Sequence, residues 1–352
     1  MSLNIDNYYQ LHITKCVRYE RERERDEQDE LVQHKQKNSN LHKAKKEKND
    51  EFYTQYEDIE KEMAHYTKAM QNKTIYCNCD NPKTSNFWKY FYQNFKKLRL
   101  KTLIATYYNA NNESYATIYD GKTTHETKLS NNGDFRLCKN YIKKADIIIT
   151  NPPFSLFTEF ILLLEEYKKK YLIIGNMNAI TYKNIFPLIK ENKLWLGYSK
   201  PKIFISPNGT KKIFGNTIWF TNLDIKKRKE ILPIKQNDYN EVKYPRYNNC
   251  EAIEVNRTNQ IPNDYNGIMG VPISFLNRYN PEQFEIIDIS TMNQTGIQKP
   301  IGADFIKIYK EQGNKGHFSE NMYYLSYFDK NGRAKIPYAR ILIKRRTIYE
   351  TK

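Results

Sequence analysis

The sequence predicts an α/β protein with a parallel sheet, and two patterns in the middle of the chain support this fold class. Short apolar runs alternate with amphipathic segments between Thr74 and Thr221. Alternation at this spacing is typical of strands joined by helices that cover a sheet. The run at 145–150 is almost entirely apolar, as expected of a strand that is buried on both faces.

Each predicted element follows from its own pattern. Five strands are predicted from the apolar runs at 74–77, 103–108, 145–150, 171–175 and 217–221. Three helices are predicted, because apolar residues recur at helical spacing, at 86–98, 157–167 and 184–191. The aromatic face of the helix at 86–98 is expected to pack against the sheet rather than to contact a ligand.

The two ends of the chain differ in composition from this middle part. Residues 18–30 alternate in charge, which is typical of an exposed helix or an unstructured arm. Residues 233–281 are rich in Pro, Asn, Tyr and Asp, and the last 22 residues hold seven basic residues and one acidic residue. We therefore predict a charged N-terminal extension at 1–40, a central domain at 41–232 and a loop-rich basic region at 233–352.

The positive charge lies in the predicted folded part of the chain. The net charge is +17, from 57 basic and 40 acidic residues. Residues 1–50 hold 11 basic and 10 acidic residues, so the remainder holds 57 − 11 = 46 basic and 40 − 10 = 30 acidic residues. This excess favours a polyanionic partner, although a basic protein without such a partner is the alternative interpretation.

Cysteine usage and hydropathy indicate a reducing compartment and no membrane span. The five cysteines are odd in number and form no disulfide framework. Cys77 and Cys79 have no second Cys/His pair at zinc spacing, so no metal site is predicted.

No apolar run approaches the roughly 20 residues of a membrane-spanning helix, and no signal peptide precedes the charged segment. We expect a cytoplasmic protein, or one in the host cell interior if it comes from a phage or virus, with no obligate protein partner.

The segment 146–154 carries the most informative motif. An apolar strand runs directly into Asn151-Pro152-Pro153-Phe154. Ligands of open α/β sheets bind at the carboxyl ends of the strands, so this tetrapeptide is well placed for chemistry. A simple turn after a strand is the alternative reading of the four residues.

The composition of this motif suits methyl transfer to an aromatic amine. Such an amine is a weak nucleophile because its lone pair is delocalised into the ring. Two hydrogen-bond acceptors directed at its hydrogens would localise the lone pair, and the Asn151 oxygen and a backbone carbonyl near Pro152 can fill these roles. The two prolines stiffen the turn, and Phe154 can stack on an extracted base. We therefore predict that Asn151, Pro152, Pro153 and Phe154 form the catalytic motif.

The sequence also resembles the EcoRI-type adenine-specific DNA methyltransferases from about Leu41 onward. The resemblance is carried by LHKAKK at 41–46, DEFYTQYEDIE at 50–60, YCNCDNP at 76–82, SNFWKYF at 85–91, ADIIITNPPFSLF at 145–157, LIIGNMNAITYK at 172–183, ENKLWLG at 191–197, DYNGIMGVPISFL at 264–276 and ARILIK at 339–344. It implies a Rossmann-like methyltransferase fold, S-adenosylmethionine as methyl donor, double-stranded DNA as partner and a C-terminal target-recognition region.

The resemblance also assigns cofactor-binding residues. Three segments match cofactor-contacting elements of the family, and their residues are Phe52, Tyr53, Thr54, Asp80, Asp134 and Phe135. One departure from the wider superfamily concerns the loop after the first strand, where residues 79–82 replace the usual glycine-rich sequence. Glycine normally allows close approach of the backbone to a ligand, so the contacts around Asp80 are expected to differ.

Basic residues near the C-terminus are the predicted DNA contacts. Arg340, Lys344 and Arg345 alternate with apolar residues near a predicted terminal strand. The basic run at 226–229 could also contact phosphates, but a solvated helix face explains it about as well. The segment 198–216 departs from the family pattern and looks shorter, so the recognition sequence stays open.

The sequence thus predicts site-specific transfer of a methyl group to adenine N6 in duplex DNA, in a restriction–modification system, with the target base flipped out of the helix. Two alternatives remain at this point. One is methyl transfer to a protein glutamine or an RNA amine, because the same motif serves those substrates. The other is a non-catalytic DNA-binding paralogue, against which the intact motif argues.

Overall fold

The computed structural model describes residues 52–109, 113–130, 132–206, 209–234 and 237–346. The predicted N-terminal extension at 1–40 lies outside these residues. The described residues belong to one compact unit that begins at Phe52.

An eight-stranded sheet forms the centre of this unit. With strands numbered along the chain, its members are β2 (Thr74–Cys77), β3 (Thr102–Thr106), β4 (Tyr115–Tyr119), β5 (Thr124–Lys128), β6 (Ile147–Thr150), β7 (Lys170–Asn176), β8 (Trp195–Leu196) and β11 (Thr217–Thr221). Their spatial order is β5-β4-β3-β2-β6-β7-β11-β8. The four central strands β3, β2, β6 and β7 are parallel, and the strands on either side join through antiparallel pairs. The predicted parallel sheet is therefore correct for the centre and wrong for the flanks.

The strand order places a crevice between β2 and β6. The chain leaves β2 toward β3 on one side, and it later returns to β6 on the other side of β2. At such a switch point the connections diverge to opposite faces of the sheet, so the carboxyl ends of the two strands border an open site.

Helices cover both faces of the central sheet. They are α1 (Tyr56–Met63), α2 (Thr67–Met70), α3 (Asn86–Gln93), α4 (Lys139–Lys144), α5 (Phe157–Glu166) and α6 (Phe186–Lys190). A further helix, α7 (Ala303–Glu311), packs in a separate small cluster with Ala334. In β6, Ile147 and Ile149 belong to the core beneath α3, whereas Ile148 belongs to the core beneath α5. This alternation is the period of two that a strand buried on both faces requires.

The predicted helix at 86–98 ends earlier than expected. Ser85 caps its start, because the Ser85 Oγ accepts hydrogen bonds from the backbone of Phe87 (3.0 Å) and Trp88 (3.4 Å). The helix stops at Gln93. Phe95 and Leu98 lie beyond the helix but are buried in the same core. The apolar pattern therefore continues past Gln93, and this made the predicted helix too long.

The hairpin of β4 and β5 was not predicted. Every residue of β5 is exposed, so the strand lacks the alternating apolar pattern that reveals a half-buried strand. The turn chemistry was the available signal. The Asp120 Oδ1 accepts hydrogen bonds from the backbone of Lys122 and Thr123 at 2.8 and 2.7 Å, and Gly121 has a φ of +92°, which glycine adopts without strain.

Three smaller sheets complete the unit. A three-stranded sheet has the order β1 (Tyr53–Thr54), β9 (Ile203–Ile205) and β10 (Lys211–Ile213), and a four-stranded sheet has the order β12 (Ala252–Glu254), β13 (Ile268–Pro272), β17 (Arg340–Arg345) and β14 (Phe284–Ile289). A short ribbon pairs β15 (Tyr327–Phe328) with β16 (Ala334–Lys335). The core beneath α5 continues into the four-stranded sheet. No helix among the described residues is long and apolar enough to span a membrane.

Candidate active site

The Asn-Pro-Pro-Phe motif lies at the switch point of the central sheet. All four residues of β6 are buried, and the chain leaves the sheet at Asn151. Pro153 has a φ of −53° and leads into a 3-10 turn at Phe154–Leu156, which continues into α5. The buried strand and the proline therefore hold Asn151 at the carboxyl edge of the sheet, as the sequence predicts.

The side chain of Asn151 is oriented by a single backbone contact. Its Nδ2 donates a hydrogen bond of 2.6 Å to the carbonyl oxygen of Phe52. Its Oδ1 is buried and has no hydrogen-bond partner among the described residues. A buried acceptor without a partner costs free energy, roughly 1–3 kcal/mol, and such groups concentrate where a ligand supplies the missing donor.

Asp80 links the loop after β2 to the strand that carries Asn151. Its Oδ1 accepts a hydrogen bond of 2.6 Å from the Ser85 hydroxyl, and its Oδ2 accepts one of 2.6 Å from the Thr150 hydroxyl. Its backbone nitrogen also donates to the carbonyl of Thr106 at 3.0 Å. Asp80 thus joins β6 and the start of α3 through its buried carboxylate, and β3 through its backbone nitrogen.

The electrostatic state of Asp80 reflects this burial. Burial raises the pKa of Asp80 to about 6, and the hydrogen bonds from Ser85 and Thr150 oppose the rise. Both donors favour the ionised carboxylate, whereas the loss of water disfavours it. The Asp80 carboxyl therefore keeps its proton to a higher pH than an exposed aspartate does.

Two buried polar atoms flank the same crevice and lack partners among the described residues. They are the Thr54 Oγ1 and the Asn78 Nδ2. Thr54 lies near the start of α3, because its carbonyl accepts a hydrogen bond of 2.8 Å from the Asn86 side chain. Asn78 directly follows β2. A hydroxyl and an amide donor in this position suit a ligand with polar groups of its own.

The ring of Phe154 belongs to an aromatic cluster. Its centroid lies 6.1 Å from that of Phe52, 5.9 Å from that of Phe214 and 6.4 Å from that of Phe204. Phe204 is fully buried, whereas the other three rings are partly exposed. Phe204 and Phe214 were not predicted as site residues, since they lie in the segment 198–216 that departs from the family pattern.

The other predicted cofactor residues are Tyr53, Asp134 and Phe135, and each has contacts within the chain. Tyr53 pairs with Ile205 in the three-stranded sheet. The Asp134 carboxylate accepts a hydrogen bond of 2.8 Å from the Arg136 Nε, and this bonding raises the pKa of Arg136. Phe135 is buried, and its ring centroid lies 5.1 Å from that of Phe160. Their cofactor roles stay predictions.

Residues 132–135 nevertheless pass beside the carboxyl end of β3. The backbone nitrogen of Asn109 donates to the carbonyl of Asn132 at 2.9 Å. A Cβ on Gly133 would stand 1.8 Å from the carbonyl oxygen of Tyr107, so only glycine allows this approach. The segment therefore borders the same edge of the sheet as Asp80 and Asn151.

The three predicted DNA contacts have different environments. The Arg340 guanidinium donates to the fully buried carboxylate of Glu254, at 2.7 Å from its Nη2 and 3.0 Å from its Nε. The Arg345 guanidinium donates to the carbonyls of Asn263 and Pro262. Lys344 is exposed. Both arginines thus form hydrogen bonds within the chain. Contact with DNA stays a prediction for all three residues.

The described residues contain no group of three or more His, Cys, Asp or Glu side chains arranged to hold a metal ion. The candidate site is instead built from neutral polar groups, one buried carboxylate and aromatic rings. These are the groups that position an uncharged heterocycle and a polar ligand.

A sheet of this order, with Asn-Pro-Pro-Phe at the carboxyl end of the strand beside the switch point, defines a Rossmann-like methyltransferase. The family described as adenine-specific methyltransferase EcoRI matches residues 40–346 of the chain. The chain therefore belongs to this family and is an adenine-specific methyltransferase, as the resemblance in its sequence implies.

Curated relatives agree with this membership. The type II methyltransferase M.EcoRI of Escherichia coli is 46% identical over 289 residues, which cover 71% of this chain and 89% of the relative. A type II methyltransferase of Mycoplasma genitalium is 37% identical and covers 88% of this chain and 99% of its own. Another, from Mycoplasma pneumoniae, is 40% identical and covers 70% and 85%. No solved structure matches the chain significantly.

Proposed function

We propose that this protein transfers a methyl group from S-adenosylmethionine to N6 of a flipped adenine in double-stranded DNA, with Asn151 as the residue that positions the amine. The observation that carries the proposal is the orientation of Asn151. Its Nδ2 is bonded to the Phe52 carbonyl, which leaves the buried Oδ1 as an acceptor without a partner. The N6 amine of adenine offers the donor that this atom lacks.

The chain's own residues would activate the amine by position. With Asn151 Oδ1 as one acceptor and a backbone carbonyl near Pro152 as the other, both N6 hydrogens are bound and the lone pair projects out of the ring plane. The half-buried ring of Phe154 offers a stacking surface for the base. No covalent enzyme nucleophile is needed, because positioning and fixed dipoles account for the rate.

S-adenosylmethionine fits the polar groups of the crevice. When bound, it supplies a methyl group activated by a positively charged sulfur. The Thr54 hydroxyl and the Asn78 amide, both buried and unpartnered among the described residues, would hold its polar methionine end. Asp80 would act mainly by fixing the loop, since its two oxygens already bond to Ser85 and Thr150.

The partner and setting are part of the same proposal. The basic excess of residues 51–352 suits the phosphate backbone of DNA. Residues 233–352 would contribute target recognition. The type II names of the relatives support a role in a restriction–modification system, and such a substrate is found in the cytoplasm or in the interior of an infected cell.

Methylation of plasmid DNA tests the proposal. The full chain is incubated with unmethylated plasmid and S-adenosylmethionine, and modified bases are mapped at single-base resolution. We expect N6-methyladenine at one recurring sequence, and none with the Asn151→Ala protein prepared in the same way. Methyl groups on RNA or protein but not on plasmid adenine would contradict it.

A further inference from the structure

Residues 299–335 form a small basic unit with an apolar cluster of its own. The cluster joins α7 to the ribbon of β15 and β16, because Ala334 of β16 is fully buried with Phe305 and Ile306 of the helix. The Phe328 ring of β15 lies 5.1 Å from that of Phe305 between centroids. The unit holds seven basic and four acidic residues. The helix therefore supports the ribbon, and the whole unit is positively charged.

The turn of the ribbon is built mainly by Asp329 and by backbone groups. The Asp329 Oδ1 accepts hydrogen bonds from the backbone of Asn331 (2.9 Å) and Arg333 (3.0 Å). Gly332 has a φ of +72°, which glycine adopts without strain. The side chains of Lys330, Asn331 and Arg333 are exposed and form no hydrogen bond or ion pair among the described residues. These three side chains are therefore available to a partner.

The Gln312 side chain fixes this turn to the end of α7. Its Nε2 donates a hydrogen bond of 3.0 Å to the Gly332 carbonyl, and its Oε1 accepts one of 2.7 Å from the Ala334 backbone nitrogen. Both bonds reach the strand side of the turn, next to the buried Ala334. The turn is thus held at a defined position, as a site that recognises a ligand requires.

Tyr338 places the ribbon beside the carboxyl edge of the central sheet. Its hydroxyl donates a hydrogen bond of 3.0 Å to the Asn178 Oδ1, and Asn178 lies two residues beyond β7, which pairs with β6. The Arg340 Nη1 donates to the Tyr338 carbonyl at 3.0 Å, so the ion pair of Arg340 with Glu254 also fixes Tyr338. Only five residues of chain lead from Arg333 to Tyr338, so their Cα atoms lie within roughly 18 Å of each other. This is about half of one turn of duplex DNA.

A solvated turn is the ordinary explanation of Asp329 and Gly332, because both residues are common in turns. It requires neither the bonds from Gln312 nor a position beside the catalytic motif. Arginine and asparagine are also the side chains that bond in pairs to the edges of guanine and adenine, and the major groove admits a two-stranded ribbon. The composition, support and position of the turn together favour contact with bases.

We propose that the ribbon of β15 and β16 enters the major groove beside the target adenine, with Arg333 and Asn331 bonded to base edges and Lys330 bonded to a phosphate. This inference rests on the proposed function and names the part of the C-terminal region that reads the sequence. Arg333 would read a guanine and Asn331 an adenine. Both bases would flank the target, because the ribbon lies beside the carboxyl end of β7 rather than that of β6.

Selection of duplexes from a randomised library tests the reading role. The full-length wild type and each variant are incubated with the library, bound duplexes are recovered, and the enriched motif is sequenced. The variants are Arg333→Ala, Arg333→Lys and Asn331→Ala. The matched control is Arg99→Ala, because Arg99 is exposed and precedes β3, at the opposite edge of the sheet. Binding needs no methyl transfer, so the result stands even if the plasmid experiment shows no methylated adenine.

We expect the wild type to enrich one motif and Arg333→Ala to lose a guanine preference at one position of it. The affinity of this variant for the wild-type site should fall roughly tenfold to hundredfold. Arg333→Lys should lose the same preference, because lysine keeps the charge but not the paired donors. Asn331→Ala should lose an adenine preference, and Arg99→Ala should enrich the wild-type motif.

Three results would overturn the reading role. They are a wild type that enriches no motif, an unchanged motif in both Arg333→Ala and Asn331→Ala, and a loss of every base preference at once in these variants. Thermal unfolding of the ribbon variants should match that of the wild type, because Asp329 and the backbone build the turn.

Lys330 provides a contrast within the same turn. Lys330→Ala should weaken binding to all duplexes alike, lower the log–log salt slope of binding by about 0.9 and leave the enriched motif unchanged. A salt slope equal to that of the wild type would overturn the phosphate contact.

Discussion

Asn151 and Phe52 are joined by a hydrogen bond from the Asn151 Nδ2 to the Phe52 carbonyl at 2.6 Å, across 99 positions of sequence. The bond fixes which end of the amide faces the crevice. It also brings the backbone of Phe52 to the Asn-Pro-Pro-Phe motif, and the Phe52 ring lies 6.1 Å from that of Phe154 between centroids.

Replacement of Phe154 should affect the bound base more than the fold. Phe154→Ala removes a half-buried stacking surface and should weaken retention of the extruded base by roughly 1–3 kcal/mol. Phe154→Tyr preserves the ring and should remain active. The measurement is single-turnover methyl transfer to duplex DNA, with thermal unfolding as a check on the fold. Equal rates for the alanine and tyrosine variants would show that the ring does not stack on the base.

Asp80 should make stability depend on pH in a defined window. Its pKa is about 6 in the folded protein and near 4 in an unfolded chain, so folding favours the protonated form. The stabilisation is therefore complete below about pH 4 and is lost as the pH rises through about 6, by at most about 3 kcal/mol.

Denaturant unfolding of the wild type and of Asp80→Asn between pH 4 and 7 measures this effect as a difference. The free energy of unfolding of the wild type should fall relative to that of the variant across this range. A constant difference, or one of opposite sign, would show that the carboxyl does not have a raised pKa.

Loss of the Asp80 side chain should also weaken the cofactor site. Asp80→Ala removes the bonds to Ser85 and Thr150 and so frees the loop after β2. Calorimetric titration with S-adenosylmethionine should show lower affinity. Asp224→Ala, which removes an exposed acid away from the crevice, serves as the control. Unchanged affinity in Asp80→Ala would remove this residue from the cofactor site.

Arg340 and Lys344 should respond in different assays. Arg340→Ala leaves the buried Glu254 carboxylate unpaired, so it should lower the free energy of unfolding by roughly 3–5 kcal/mol. Lys344→Ala should leave stability unchanged and lower the salt slope of DNA binding by about 0.9. If Arg340→Ala instead altered only the salt slope, its pairing with Glu254 would not be the dominant role.

The local sequence was sufficient to predict the central strands of the sheet, because each of them is a continuous apolar run. The strands around Tyr76 and Ile148 are buried on both faces, and continuous apolar runs predict such strands directly. The hairpin at 115–128 was missed because its outer strand is exposed throughout, and the tertiary pairing with β3 decides its conformation. The position of the Asn-Pro-Pro-Phe motif at the end of a buried strand was predicted for the same local reason.

Long-range contacts set the limit of prediction. The partners Asn151 with Phe52, Asp80 with Thr150 and Arg340 with Glu254 are separated by 99, 70 and 86 positions. No periodicity or propensity encodes such pairs. The sequence thus identified Arg340 as basic and near a strand, but not the buried acid that engages it.

Single-turnover methyl transfer by Asn151→Ala on duplex DNA, with titration of S-adenosylmethionine on the same preparation, tests most sharply whether the Asn151 Oδ1 positions the amine. The Oδ1 is proposed to bind the amine most strongly in the transition state, so its loss should lower kcat by about 10²-fold or more. Cofactor affinity and folding should change little. Methylation of adenine by Asn151→Ala at the wild-type rate would show that this oxygen does not position the amine.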